Sequence, residues 1–109
     1  MITIEAVITR MSGLDRPDLE RWIDNEWVRP DERDGQYLFG DIDVARVRLI
    51  QELRDDMEIT EDALPVILSL LDQLYDLRRR MRELSDALDQ TVPDDLRRKL
   101  TEHLAKRAP

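Results

Sequence analysis

The 109-residue chain has no cysteine, which excludes disulfide staples, thiolate metal centres and cysteine nucleophiles. Its three glycines stand apart at Gly13, Gly35 and Gly40, so no glycine-rich loop is present to cradle a phosphate. The three serines, Ser12, Ser69 and Ser85, lie outside any Gly-x-Ser-x-Gly elbow. The one histidine, His103, has only Glu102 beside it, and that pair does not define a metal site. Acidic pairs such as Asp55-Asp56 and Asp94-Asp95 project about 100° apart on a helix and do not converge on a substrate. These absences predict no catalytic residues, no metal and no cofactor, and hence no enzyme. No apolar run approaches the roughly 20 residues that span a bilayer, and the first residues lack a basic segment followed by an apolar stretch. A soluble cytoplasmic protein is expected.

What the chain has in abundance is charge, 39% of its residues, with a formal net of −8. Residues 1–58 hold 15 acidic and 8 basic side chains, whereas residues 59–109 hold 10 and 9. The acidity therefore belongs to the first half. A surface of that sign repels phosphate and attracts a basic protein partner, with an encounter rate that salt weakens.

Ile67, Leu70, Leu74, Leu77, Met81, Leu84 and Leu88 are spaced alternately three and four apart, the pattern of a seam between two helices. Asp72, Asp76, Arg78–Arg80, Arg82, Glu83 and Asp86 fill the solvated positions around it. The arginines wrap around this helix between acidic turns, which fits the flank of a coiled coil better than a nucleic-acid stripe. A seam this narrow needs a partner helix, so the segment reads as an assembly helix.

Upstream, Thr3 caps a helix with Ile4, Val7, Ile8 and Met11 at helical spacing, and Gly13 closes it. Asp15 caps a second helix with Pro17 in its first turn and Leu19, Trp22 and Ile23 on its apolar face. The short connection makes a helix-turn-helix. Asp34-Gly35 is a two-residue turn signal before Tyr37-Leu38-Phe39, predicting a β-hairpin wing. Gly40-Asp41 opens a third helix, in which Ile42, Ala45, Leu49, Leu53 and Met57 are expected to share the buried face while Arg46, Arg48, Glu52 and Asp56 stay solvated. The long helix is expected to start between Glu61 and Val66, with Pro65 tolerated in its first turn. After a break at residues 90–94, Val92, Leu96, Leu100 and Leu104 recur every four residues in a last amphipathic segment, expected to fold back or join the seam. The expected organisation is a head over 1–58, a dimerisation helix over 59–90 and a C-terminal extension over 91–109.

The order of helix-turn-helix, wing, third helix and dimerising helix resembles the MerR-like winged-helix architecture. Residues 34–46 resemble the wing and third helix, and Glu26-Trp27-Val28-Arg29-Pro30 resembles the Gly-Leu-Leu-x-Pro segment before the wing. The resemblance implies a mainly α fold: a winged helix-turn-helix head, a small β-hairpin wing, a long dimerising coiled-coil helix and a short C-terminal helix. Two departures bear on function. Glu20 stands where MerR regulators carry a phosphate-contacting arginine, and Gln36-Tyr37-Leu38 follows Gly35 where their wing reads Gly-Tyr-Arg. Carboxylate in place of guanidinium turns attraction to DNA into repulsion.

Over roughly residues 2–88 the chain is more similar to the chaperone-modulator family CbpM. The matching segments include Ser12-Gly13-Leu14, Val28-Arg29-Pro30, Phe39-Gly40-Asp41, Arg48 to Arg54 and Leu64 to Asp72. This similarity implies a homodimer that binds the J-domain of a DnaJ-like co-chaperone, CbpA, and inhibits it by covering the basic surface that DnaK needs. On charge and exposure, the expected contacts are Glu20, Asp24, Asp31, Glu32 and Asp34, with Trp27 as an apolar anchor. The alternative is a MerR-type DNA-binding transcriptional regulator, for which Arg33, Arg46 and Arg48 near the wing are the supporting residues.

Overall fold

Local hydrogen bonds set the helix boundaries of the N-terminal half. The computed structural model describes residues 1–91 and 93–107, the last by its backbone alone. The side chain of Thr3 accepts from the Ala6 N–H to start α1 (Ile4–Arg10). Asp15 accepts from the Asp18 N–H at 3.0 Å to start α2 (Arg16–Asp24), with Pro17 in the first turn, where the missing N–H costs nothing. Both caps are those expected from the sequence.

The wing is part of a three-stranded antiparallel sheet, ordered β1 (Ile2–Thr3), β3 (Gln36–Phe39), β2 (Asp31–Arg33). Arg33 pairs with Gln36 across Asp34-Gly35, and both turn residues have positive φ, 51° and 77°. That is the backbone twist a two-residue hairpin turn requires. The third strand is an addition to the expected hairpin. Ile2 lies opposite Phe39 and Thr3 opposite Leu38, so Thr3 both closes a strand and caps a helix.

α3 (Asp41–Asp55) starts at Gly40, whose N–H donates to the Asp43 carboxylate at 2.8 Å. Its buried face differs from the expected one. Leu53 is buried as expected and Leu49 is half-buried, but Ile42 is 84% exposed, Ala45 and Met57 are also exposed, and Val47 and Ile50 are buried in their place. Arg46, expected in solvent, is half-buried and donates through Nε to the Trp27 carbonyl at 2.9 Å. The Gln51 amide reaches the Ser12 carbonyl. Both apolar stripes of α3 have helical spacing, and these two polar anchors rotate the second one inward.

α4 (Leu64–Thr91) begins within the expected window, with Pro65 as its second residue, and α5 (Asp94–Arg107) follows the expected break. Val92, counted in the last apolar stripe, lies outside the described residues. The chain divides into two compact units between Ser69 and Leu70. Every buried hydrophobic side chain among the described residues lies in the first, from Ile4 to Leu68. Trp22, Phe39, Leu19 and Ile50 are its largest fully buried members. Among the described residues no helix is long and apolar enough to cross a membrane.

Candidate functional site

In a helix-turn-helix the second helix is the element that meets a partner, so the charges on α2 decide what it can meet. α2 carries two arginines, and carboxylates of this chain engage both. The Arg16 guanidinium bonds Glu20 at 2.9 Å and Glu5 of α1 at 3.0 Å. Arg21 bonds Asp18 at 2.8 Å and reaches both carboxylate oxygens of Glu61, just before α4. Neither cation is left to meet a phosphate without breaking a pair. Asp24 is exposed on the same face as Glu20, one turn further on.

A second tier of charge holds α2 in place. Arg54 of α3 bonds Asp18 at 2.9 Å and Asp55 at 2.7 Å, with its guanidinium carbon 5.2 Å from the centre of the Trp22 ring. Arg21 holds the Glu61 carboxyl below the usual carboxylate range, and the neighbouring Trp22 contributes less. The buried Trp22 Nε1 has no hydrogen-bond partner among the described residues. Asp55 is held low by Arg54. Burial works to raise Asp18, but Arg21 and Arg54 outweigh it and the net shift is downward. α2, α3 and the approach to α4 are thereby tied through Asp18, Arg21, Arg54 and Glu61.

Beyond α2 the chain turns through Glu26, with φ 61°, and the Trp27 N–H returns to the Trp22 carbonyl at 2.9 Å. Trp27 is half-buried, unlike Trp22, which is in the core. It lines an open groove with Asn25, Glu61, Asp62 and Pro65. An aromatic face flanked by carboxylates is chemically suited to a lysine or arginine side chain. Glu61 and Asp62 were not among the residues expected from the sequence. They stand some 40 positions from α2, and the Arg21–Glu61 pair ties them to it.

The other expected contact residues are all exposed but do not share one face. Asp31 and Glu32 are adjacent on β2 and point to opposite sides of the ribbon, while Asp34 is in the turn. Asp31 is 4.0 Å from Arg33, a loose surface pair. In the seam, Leu70, Leu74, Leu77, Met81 and Leu84 are exposed, and Ile67 and Leu88 are half-buried. His103 is exposed, and among the described residues no cluster of three or more His, Cys, Asp or Glu is arranged to hold a metal.

No curated protein and no solved structure matches this chain. Residues 2–86 match the family described as MerR HTH family regulatory protein, from β1 through most of α4. The match spans the helix-turn-helix, the wing and the long helix together, and the chain belongs to the MerR HTH family of regulatory proteins.

Proposed function

We propose that this chain is a non-enzymatic, homodimeric modulator that binds the basic J-domain of a CbpA-like co-chaperone through its acidic head and inhibits it by occluding the surface DnaK needs. The observation that carries this reading is the internal neutralisation of both α2 arginines, Arg16 by Glu5 and Glu20 and Arg21 by Asp18 and Glu61. A helix-turn-helix whose second helix has paired its cations and exposes Glu20 and Asp24 favours a cationic partner over a polyanion. The Trp27 groove adds an aromatic anchor among Glu61 and Asp62. The mechanism is competition for a surface, with no bond made or broken. Dimerisation along Ile67, Leu70, Leu74, Leu77, Met81, Leu84 and Leu88 would present two heads.

Duplex binding is the second reading, and the wing favours it: Arg29 and Arg33 are exposed, each 4.0 Å from its nearest carboxylate. Titration calorimetry against the J-domain of the same organism's CbpA-like protein, at low and moderate salt, separates the two. Binding at micromolar affinity or tighter, weakened by salt, is expected. No binding at either salt, together with selection of a duplex from random DNA, would establish the second reading.

A further inference from the structure

Residues 1–58 hold 15 carboxylates for eight arginines, so an arginine without an acidic neighbour is the exception there. Arg16, Arg21 and Arg54 form ion pairs at 3.0 Å or less, and Arg29 and Arg33 are each 4.0 Å from a carboxylate. Arg46 donates to the Trp27 carbonyl. Arg10 and Arg48 are the two that remain, exposed and with no hydrogen bond or ion pair to any described residue. Both line the same pocket.

That pocket lies where β1 pairs with β3, Ile2 opposite Phe39. On one side is the end of α1, which carries Arg10 in its last turn. On the other is α3, where Val44 and Ala45 fall between Asp41 and Arg48 at spacings of three and four, so all four share a face of the helix. Asp41 pairs with neither arginine, which leaves one acid against two bases in a head where acids are nearly twice as numerous. The rest of the lining is apolar.

Two guanidiniums with no anion between them repel each other, and a carboxylate set between them takes charge-assisted hydrogen bonds from both. The space available sets the size of what carries that carboxylate. The pocket holds about 170 Å³, close to the roughly 150 Å³ of an apolar cavity that takes up benzene and below the roughly 300 Å³ at which drug-sized sites begin. We propose that this pocket binds a small apolar carboxylic acid, one ring in size, with Arg10 and Arg48 holding its carboxylate and Ile2, Phe39, Val44 and Ala45 lining the space for its ring. None of the residues expected to contact a J-domain lines it, so the site stands or falls apart from that reading.

The test is an amide NMR titration of the full chain with benzoate at constant ionic strength. Saturable shifts are expected at Ile2, Phe39, Val44 and Ala45, with a dissociation constant of about 1–10 mM for so few ligand atoms. Benzyl alcohol keeps the ring without the charge and acetate keeps the charge without the ring, and each is expected to bind at least about tenfold more weakly. Arg10→Gln and Arg48→Gln are each expected to weaken benzoate at least about fivefold while amides outside the pocket keep their wild-type positions. No saturable shift with benzoate would overturn the proposal. So would binding of benzyl alcohol or acetate as tight as that of benzoate, or undiminished benzoate binding in both variants. Because the comparison of benzoate with benzyl alcohol and acetate uses wild-type protein, it decides the matter even if a variant fails to fold. N-acetylphenylalanine presents a ring and a carboxylate as a protein C-terminus does. Tighter binding of it than of benzoate would assign the pocket to a chain end and overturn the small-acid reading.

Discussion

Besides Asp34 in the hairpin turn, Glu26 and Glu58 are non-glycine residues with positive φ, 61° and 56°, a region in which a Cβ crowds the following carbonyl at a cost of about 1–2 kcal/mol. Glu26 occupies the place of the glycine in the Gly-Leu-Leu-x-Pro pattern, and its side chain is exposed, with only a 4.0 Å pair to Arg29. Replacing it by glycine removes the strain but adds freedom to the unfolded chain, which costs about 0.4–1 kcal/mol. Glu26→Gly and Glu58→Gly are therefore each expected to stabilise the head by roughly 0.5–1 kcal/mol. Urea unfolding followed by circular dichroism checks this. A lower midpoint in either variant would show that the side chain contributes more than its conformation costs.

At the scale of elements, the ties among α2, α3 and the approach to α4 make the head sensitive to acid. Asp18, Asp55 and Glu61 all have depressed pKa values in the folded chain, Asp18 through Arg21 and Arg54 against an opposing burial effect, Asp55 through Arg54 and Glu61 through Arg21. A carboxylate whose folded pKa lies below its unfolded value contributes stability above the unfolded value, about 4, and loses it as pH falls through the folded value. Stability is expected to be level from pH 7 to about 5 and to decline below about 4. Asp18→Asn should lower the plateau at pH 7 and make the acid decline shallower, since one of the proton-uptake sites of this network is gone. Denaturant midpoints at pH 7, 5, 4 and 3 measure both effects, and an unchanged acid slope would remove Asp18 from the linkage. This network also marks the limit of what the sequence reveals. The caps at Thr3 and Asp15, the Asp34-Gly35 turn and the start of α4 were legible because each is decided within a few residues by capping or turn chemistry. The buried face of α3 was not, because Ile42-Ala45-Leu49 and Val47-Ile50 have equally good spacing and the choice is made by Arg46 on Trp27 and Gln51 on Ser12, 19 and 39 residues away. β1 was missed because two residues are too few for an alternation. The acids of α2 were legible as candidates, but the groove that adds Glu61 and Asp62 is formed by tertiary contacts, among them an ion pair spanning 40 positions.

For the whole molecule the telling feature is where charge is neutralised and where it is not. Eight basic side chains face 15 acidic ones over residues 1–58, so pairing every cation would still leave an excess of carboxylate. On α2 Asp18 is spent on Arg21 and Arg54, and Glu20 shares Arg16 with Glu5, while Asp24 is exposed. A partner that reads this surface responds to long-range charge more than to any single contact, and added salt shortens the range to about 8 Å at physiological ionic strength. Glu20→Gln with Asp24→Asn removes two negative charges and changes side-chain size little. The pair is expected to slow association with a J-domain by roughly threefold to tenfold at low salt and to have little effect at 0.5 M salt, with dissociation nearly unchanged. Stopped-flow association at several ionic strengths separates the two rates. An equal loss at every salt would mean that Glu20 and Asp24 make direct desolvated contacts. No loss at any salt would move the interface off α2, to the Trp27 groove, where Asp62→Asn is the next variant to measure.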